Sequence, residues 1–414
     1  MARQESMLRP YRVLDLADEK GLFCGKILGD LGADVIKVEP PGGDSARWIG
    51  PFYRDEPHAE KSLFWFAYCA NKRGVTLNIE VMDGREIFRS LLKSSDIVVE
   101  SFAPGYMDEL GLGYNALEKV KPGIIMISIS PFGQTGPYRD FEAADIVSWA
   151  MGGYMYSVGD ADRAPLRIGH HSQAYLHASG QAAQAALLAL WGRELTGHGQ
   201  HVDVSVRDSV ARCTPERITE AWDFRKVNVH RGGLGAALRV KRVWPCKDGY
   251  VSAFFWSGPD ARRWNTPLIN WMKDQEMADD SLVNFDWERF DLQKTKQEDY
   301  DRMVAPVAQF FMAHTKAELL AGAAKYKAQL YPVATAADIL ENPQLAFRRY
   351  WTELEHPELG PRITYPGPFG RPTEAHPAIT RRAPLIGEHN LEVYETELRI
   401  PRDKLVMLKQ AGVI

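Results

Sequence analysis

In the first third of the chain, apolar residues fall into short blocks separated by stretches with helical spacing. The block Arg12–Leu16 (RVLDL) predicts a short buried strand. It is followed by a helix over 18–31, with Leu22, Phe23, Ile27, Leu28 and Leu31 on one side and Gly32 as the stop. Val35–Glu39 is the next strand, so the pair forms a right-handed parallel βαβ unit. The pattern recurs with a strand at 73–79, a helix at 82–93, and strands at 97–99 and 124–130. Alternation of this kind predicts a doubly wound α/β sheet whose ligands lie beyond the carboxyl ends of the strands. The loops at 40–47, 101–105 and 131–138 are therefore the ones to examine.

Between Pro165 and Ser209 the period changes twice. Ala174, Tyr175, Ala178, Ala182, Ala185, Ala186 and Leu190 recur at spacings of three and four, with Ser172 placed to cap this helix and Gly197 to end it. Small residues at Ala178, Ser179, Gly180, Ala182 and Ala183 strip bulk from one face. That suits tight helix packing and, less commonly, the approach of a thin ligand. Beyond Gly199, Val202, Val204 and Val206 alternate with polar residues and predict a strand with one wet face.

The second half has a different texture. A linker helix is expected over 210–230, and Lys247-Asp248-Gly249 between apolar runs marks a hairpin. Gly233–Leu238 (GLGAAL) starts like a dinucleotide fingerprint, but Leu238 fills the third small-residue position and no clear strand precedes it, so it reads as a loop. The charged, Trp-rich stretch 259–327 predicts a smaller helical lobe, with its aromatic residues used for packing. Arg231, Arg239, Lys241 and Arg242 read as a solvated basic face. A helix is expected over 337–345, before a Pro/Gly-rich strap that returns to the first lobe. The expected division is a Rossmann-like large domain over 1–207, a linker over 208–230, a small α+β domain over 231–330, a second linker over 331–350, and a C-terminal return to the large domain over 351–414.

Composition narrows the function classes. With 414 residues, 45% hydrophobic and 25% charged, the chain can bury a large core, and a net charge of −4 offers no general attraction for nucleic acid. No apolar run is long enough to span a bilayer and no signal peptide is apparent, so a cytoplasmic protein without a membrane partner is expected. Cys24, Cys69, Cys213 and Cys246 are widely spaced, form no metal-binding set and read as reduced core thiols.

Five stretches together resemble the family III CoA-transferases, the group around formyl-CoA and carnitine CoA-transferases. They lie at 13–47, 71–79 (NKRGVTLNI), 128–145 (SISPFGQTGPYRDFEAAD), 193–210 (RELTGHGQHVDVSVRDSV) and 383–390 (APLIGEHN). The resemblance implies an interlocked dimer of open rings. It also implies a coenzyme A thioester as substrate, with no permanently bound cofactor. In that family an Asp carboxylate attacks the acyl-CoA to give a mixed anhydride. CoA thiolate then returns to form an aspartyl-CoA thioester, and the acceptor acid takes the CoA through a second anhydride.

The residue at that Asp position is Leu176, within Leu176-His177-Ala178-Ser179-Gly180, and no Asp or Glu occurs between Asp162 and Glu194. The catalytic position is therefore empty of a carboxylate. His170, His171 and His177 lie nearby. His177 is the substitute to weigh, but it is disfavoured because an acyl-imidazole lacks the anhydride's route back to a CoA thioester. The resemblance assigns Leu77, Ser101 and Phe102 to CoA binding and places Pro40, Glu80 and Glu109 where relatives offer basic residues to the phosphates. The related racemases use a His where this chain has Ala144, just before Asp145, so racemisation is disfavoured as well.

The expected function is thus a subunit that pairs with an Asp-bearing homologue in a heteromeric CoA-transferase moving CoA between carboxylic acids. Succinyl-CoA and an aromatic succinate such as benzylsuccinate are the suggested pair. A homodimeric acyl-CoA isomerase or hydratase and a non-catalytic acyl-CoA-binding protein are the alternatives.

Overall fold

A computed structural model describes residues 6–159, 163–169, 172–213, 238–292 and 294–414. The chain divides into two compact units, one of Met1–Tyr154, Arg167–Pro215 and Ala346–Ile414, the other of Met155–Leu166 and Glu216–Leu345.

The first unit is built on six parallel strands: β1 (Arg12–Asp15), β2 (Asp34–Glu39), β3 (Lys72–Thr76), β4 (Ile97–Glu100), β5 (Ile125–Ser130) and β6 (His201–Ser205). Their order is β3-β2-β1-β4-β5-β6. This is the doubly wound arrangement, with its reversal point between β1 and β4. Central strands covered on both faces read as nearly continuous apolar runs, and Leu14, Ile36, Val98 and Ile127 are fully buried. The Leu22–Asp30 helix packs so closely on β1 that a Cβ at Gly25 would stand 2.2 Å from Asp15 Oδ2.

Two strand ends differ from expectation. β3 stops at Thr76 because the Asn78 amide turns away to donate to the carbonyl of Val413 (2.7 Å). β6 stops at Ser205 rather than running through Val206, because the Ser205 hydroxyl accepts from the Asp208 amide and caps a helix over Val206–Ala211.

Buried ion pairs link the strands to one another and to the 40–47 loop. Lys37 Nζ meets Asp44 Oδ2 (2.8 Å) and donates to the Ala17 carbonyl (2.6 Å), while Lys72 Nζ meets Asp15 Oδ2 (2.7 Å). Arg47 holds both oxygens of Glu39 (2.6 and 2.8 Å), and its guanidinium lies 3.9 Å from the Trp65 ring centre.

The C-terminal segment returns to this unit and seals the free edge of β3. His389 Nδ1 accepts from the Gly74 amide (3.1 Å), the His389 amide donates to the Gly74 carbonyl (2.9 Å), and Asn390 Oδ1 accepts from the Thr76 amide (2.9 Å). The GEHN motif thus stands in for a seventh strand, satisfying an edge that would otherwise be open. Gly74 permits the approach, since a Cβ there would meet Pro384 at 2.8 Å. A hairpin of β10 (Trp351–Glu355) and β11 (Arg362–Pro366) within the returning strap carried no recognised turn signal.

The second unit carries an antiparallel sheet of β7 (Val243–Cys246), β8 (Gly249–Ala253) and β9 (Leu330–Pro332). Lys247 and Asp248 form the expected tight connection. Helices Ala261–Asp274, Gln297–Ala313 and Lys316–Tyr326 pack around Trp244, Trp271, Trp287, Phe310 and Phe311, all buried. Trp271 and Phe310 meet edge to face at 4.8 Å, and a Cβ on Gly322 would stand 2.0 Å from the Trp271 ring. Arg239, Lys241 and Arg242 are exposed, Lys241 lying over Trp244 and Arg242 over Phe254. The helix expected over 337–345 is two helices, Ala336–Leu340 and Pro343–Phe347, because Pro343 disfavours helical backbone at Asn342. Arg231, residues 233–237 of the GLGAAL loop and residues 214–230 of the expected linker helix lie outside the described residues, while Leu238 is buried.

Candidate active site

The long helix Gln173–Thr196 ends at Gly197, whose φ of +76° is the left-handed turn expected there. Its start differs from expectation. Ser172 has φ +34° and makes no side-chain cap, and the Ala174 amide instead donates to Asp145 Oδ1 (2.7 Å), a carboxylate distant in sequence. An anionic cap at a helix N-terminus is favoured by the macrodipole. The small-residue face packs as expected, with Ala178, Ser179, Ala182, Ala183 and Ala186 buried and the Ser179 hydroxyl donating to the Lys20 carbonyl (2.9 Å). The opposite face is not buried: Leu188, Trp191 and Leu195 are 71%, 64% and 75% exposed.

Leu176 stands half-buried in the first turn, and His177 is exposed. The His177 ring meets Trp149 edge on at 5.7 Å, and its Nδ1 lies 3.8 Å from Cys213 Sγ. Burial pushes the Cys213 thiol up, which disfavours a thiolate beside the imidazole. The four cysteines are free, but Cys213 is only half-buried, unlike Cys24, Cys69 and Cys246. His170 and His171 lie outside the described residues.

The tertiary fold brings to this turn a carboxylate that a linear scan of 163–193 misses. Asp145 is nearly buried, capping Ala174 through Oδ1 and facing Arg167 Nε at 3.7 Å through Oδ2. Glu19, in the loop after β1, is pushed up by burial and then by Asp18. Together with Asp145 it raises the Tyr175 phenol, for which burial is the largest cause. On the Asp145–Met151 helix, Asp145 Oδ2, Ser148 Oγ and Trp149 Nε1 are buried without a hydrogen-bond partner among the described residues.

A cleft of about 560 Å³ opens at the carboxyl ends of β1 to β4. Leu77 and Phe102 line it, with Val38, Pro40, Ile79 and Tyr106. Phe102 and Tyr106 pair at 4.8 Å, and the Tyr106 hydroxyl donates to Glu80 Oε1 (2.9 Å). Ser101 does not line the cleft. It turns inward, donating to Asp18 Oδ1 (2.7 Å) and accepting from the Asp18 amide (2.9 Å). Pro40 and Glu80 do line it, whereas Glu109 is not among its lining residues.

Behind this wall Glu100 is buried. Its carboxyl is pushed up to about 7 by desolvation, against the lowering hydrogen bonds from Ser128 and the Phe102 amide. Among the described residues no cluster of three or more His, Cys, Asp or Glu is arranged to hold a metal, and no helix is long and apolar enough to cross a membrane.

The family model for CoA-transferase family III matches residues 8–390, nearly the whole chain. The chain belongs to CoA-transferase family III. Similar family members include the succinyl-CoA:(R)-benzylsuccinate CoA-transferase subunit BbsE of Thauera aromatica, 34% identical over 98% of this chain and 97% of the relative. The succinyl-CoA–D-citramalate CoA-transferase of Chloroflexus aurantiacus is 32% identical over 98% of both chains. Among solved structures, a CAIB/BAIF family protein from Brucella suis superposes with a TM-score of 0.82 at 26% identity, covering 95% of this chain and all of that one. For a family III chain, Leu176 in the first helical turn and the acidic lining of the cleft are the features to explain.

Proposed function

We propose that this chain is the subunit of a heteromeric CoA-transferase that completes the assembly while an Asp-bearing homologue supplies the nucleophile. The observation that carries the reading is Leu176 in the first turn of the long helix, a hydrocarbon side chain that cannot form an anhydride. Asp145 does not replace it, since one oxygen is committed to the helix cap and the side chain is nearly buried. The exposed stripe of Leu188, Trp191 and Leu195 supports association with a second subunit, in keeping with the interlocked dimer expected from the family. In such an assembly 208–230 and 331–350 would serve as the linkers between a large domain over 1–207 and 351–414 and a small domain over 231–330.

CoA would pass between carboxylic acids, with succinyl-CoA as donor and an aromatic succinate such as benzylsuccinate as acceptor. Similarity to BbsE supports that pair, as does the ring cluster of Trp149, Tyr154 and His177 beside Leu176. In this reading Leu77 and Phe102 line the cleft that corresponds to the CoA position of the family, and Ser101 shapes the loop behind it.

The test is transfer from succinyl-CoA to benzylsuccinate by the full chain alone and by the chain co-purified with an Asp-bearing homologue. Activity is expected only from the pair, and robust turnover by the lone chain removes the proposal.

A further inference from the structure

We infer that the cleft of this subunit excludes CoA, so that the heteromer carries a single CoA site, in its Asp-bearing partner. The inference rests on the heteromeric reading above and concerns a property that reading leaves open.

CoA is held mainly through its phosphates, which need charge-assisted donors. This cleft is lined by four carboxylates, Asp18, Glu39, Asp44 and Glu80, and none of its described lining residues is basic. Cations do lie close by, but each is paired with a carboxylate. Lys37 and Arg47 are fully buried, Lys37 bound to Asp44 and the Ala17 carbonyl, and Arg47 bound to Glu39 and the Pro384 carbonyl. Lys20 pairs with Asp18.

Two backbone donors are committed in the same way. Asp44 takes the amide of Ala46 through Oδ1 (2.8 Å), and Glu39 takes the amide of Asp44 (2.9 Å). Among the described residues Glu80 makes no salt bridge, and its carboxylate receives the Tyr106 hydroxyl. The neighbouring Arg85 donates instead to the Glu80 main-chain carbonyl (2.8 Å). A phosphate entering here would meet an uncompensated carboxylate at the rim and no free donor of opposite sign, in a recess that concentrates the field. The apolar floor of Val38, Leu77 and Ile79 remains, so the cleft keeps the shape for a flat or flexible ligand while lacking the charge.

The experiment is calorimetric titration of CoA into the full chain and, separately, into the co-purified heteromer. Saturation is expected at one CoA per heteromer, with binding to the lone chain at least about 100-fold weaker than to the heteromer. Two equivalents per heteromer, or lone-chain affinity within about tenfold of the heteromer's, overturns the inference. Two equivalents together with a catalytically silent lone chain would overturn it while leaving the proposed function standing; turnover by the lone chain removes that function whatever the stoichiometry.

Charge reversal at the rim tests the cause. Pro40→Arg with Glu80→Lys should tighten CoA binding by the lone chain about tenfold or more at low salt, and less at high salt. Glu80→Gln alone, a change at an exposed side chain, should tighten it roughly threefold and serves if the double variant does not fold. No gain in a variant that unfolds like the parent chain overturns the inference.

Discussion

The sheet unit and the helical unit are held together by different physics. In the first, Asp15, Lys37, Glu39, Arg47 and Lys72 are all at most 1% exposed, and they pair with carboxylates or cations across β1, β2, β3 and the 40–47 loop. In the second, among the described residues, no charged side chain is buried, and the interior is Trp, Phe and aliphatic packing. Buried ion pairs are seldom the cheapest way to stabilise a fold, because each charge loses its hydration before it gains a partner. Their concentration under the cleft therefore points to shape. Lys37 and Arg47 tie the 40–47 loop to β2, and Lys72 ties β3 to β1 and to the Leu22 carbonyl. Among its described residues the aromatic unit fills its interior mainly with apolar side chains.

The sharpest break of this contrast is Lys72→Ala, which leaves Asp15 buried and unpaired and should cost about 3–5 kcal/mol in denaturant unfolding. The paired change Asp15→Leu with Lys72→Met should restore most of that loss; a double variant as unstable as the single one would show that the pair itself stabilises the unit. In the helical unit, Leu319→Ala removes a fully buried side chain and should cost about 3 kcal/mol through the cavity left behind. That loss should be insensitive to salt and pH, because no charge is involved.

Glu100 gives the sheet unit a pH dependence near neutrality. Its folded value of about 7 lies above the ordinary 4.5, so between those values the folded state binds more protons than the unfolded one, and stability falls as pH rises. The gap sets a ceiling of about 3 kcal/mol, and Glu100→Gln should be more stable than the parent by about 2 kcal/mol at pH 7.5 and no different at pH 4. Equal stabilities at both pH values would show that Glu100 is not held out of water. The smallest effect is expected at Thr315→Ala, which removes the capping box of the Lys316–Tyr326 helix and should cost about 1 kcal/mol by thermal unfolding.

Much of the frame was legible because periodicity reports burial directly. The strands and helices of the first half, the 247–248 hairpin and the Gly197 stop all follow from local pattern. Ser172 shows where local reasoning ends: its residue type suits a cap, yet Asp145 arrives from another helix and takes the amide. The GEHN motif was visible as a family signature, but its bonds to the edge of β3 depend on a strand more than 300 positions away in the chain. At the site, Leu77 and Phe102 do meet in one cleft, whereas Ser101 faces Asp18. Adjacent residues in a loop point in different directions, and residue type does not say which one faces out.

By itself the sequence determined the doubly wound sheet, the family and the hydrocarbon at position 176, since each is a matter of period or identity along the chain. Only the tertiary structure decided that Asp145 caps the helix carrying that position and that the cations near the cleft are spent on buried carboxylates. The reason is that charge acts through space: its effect depends on which partner it meets and how much water remains, and neither is written in the order of residues.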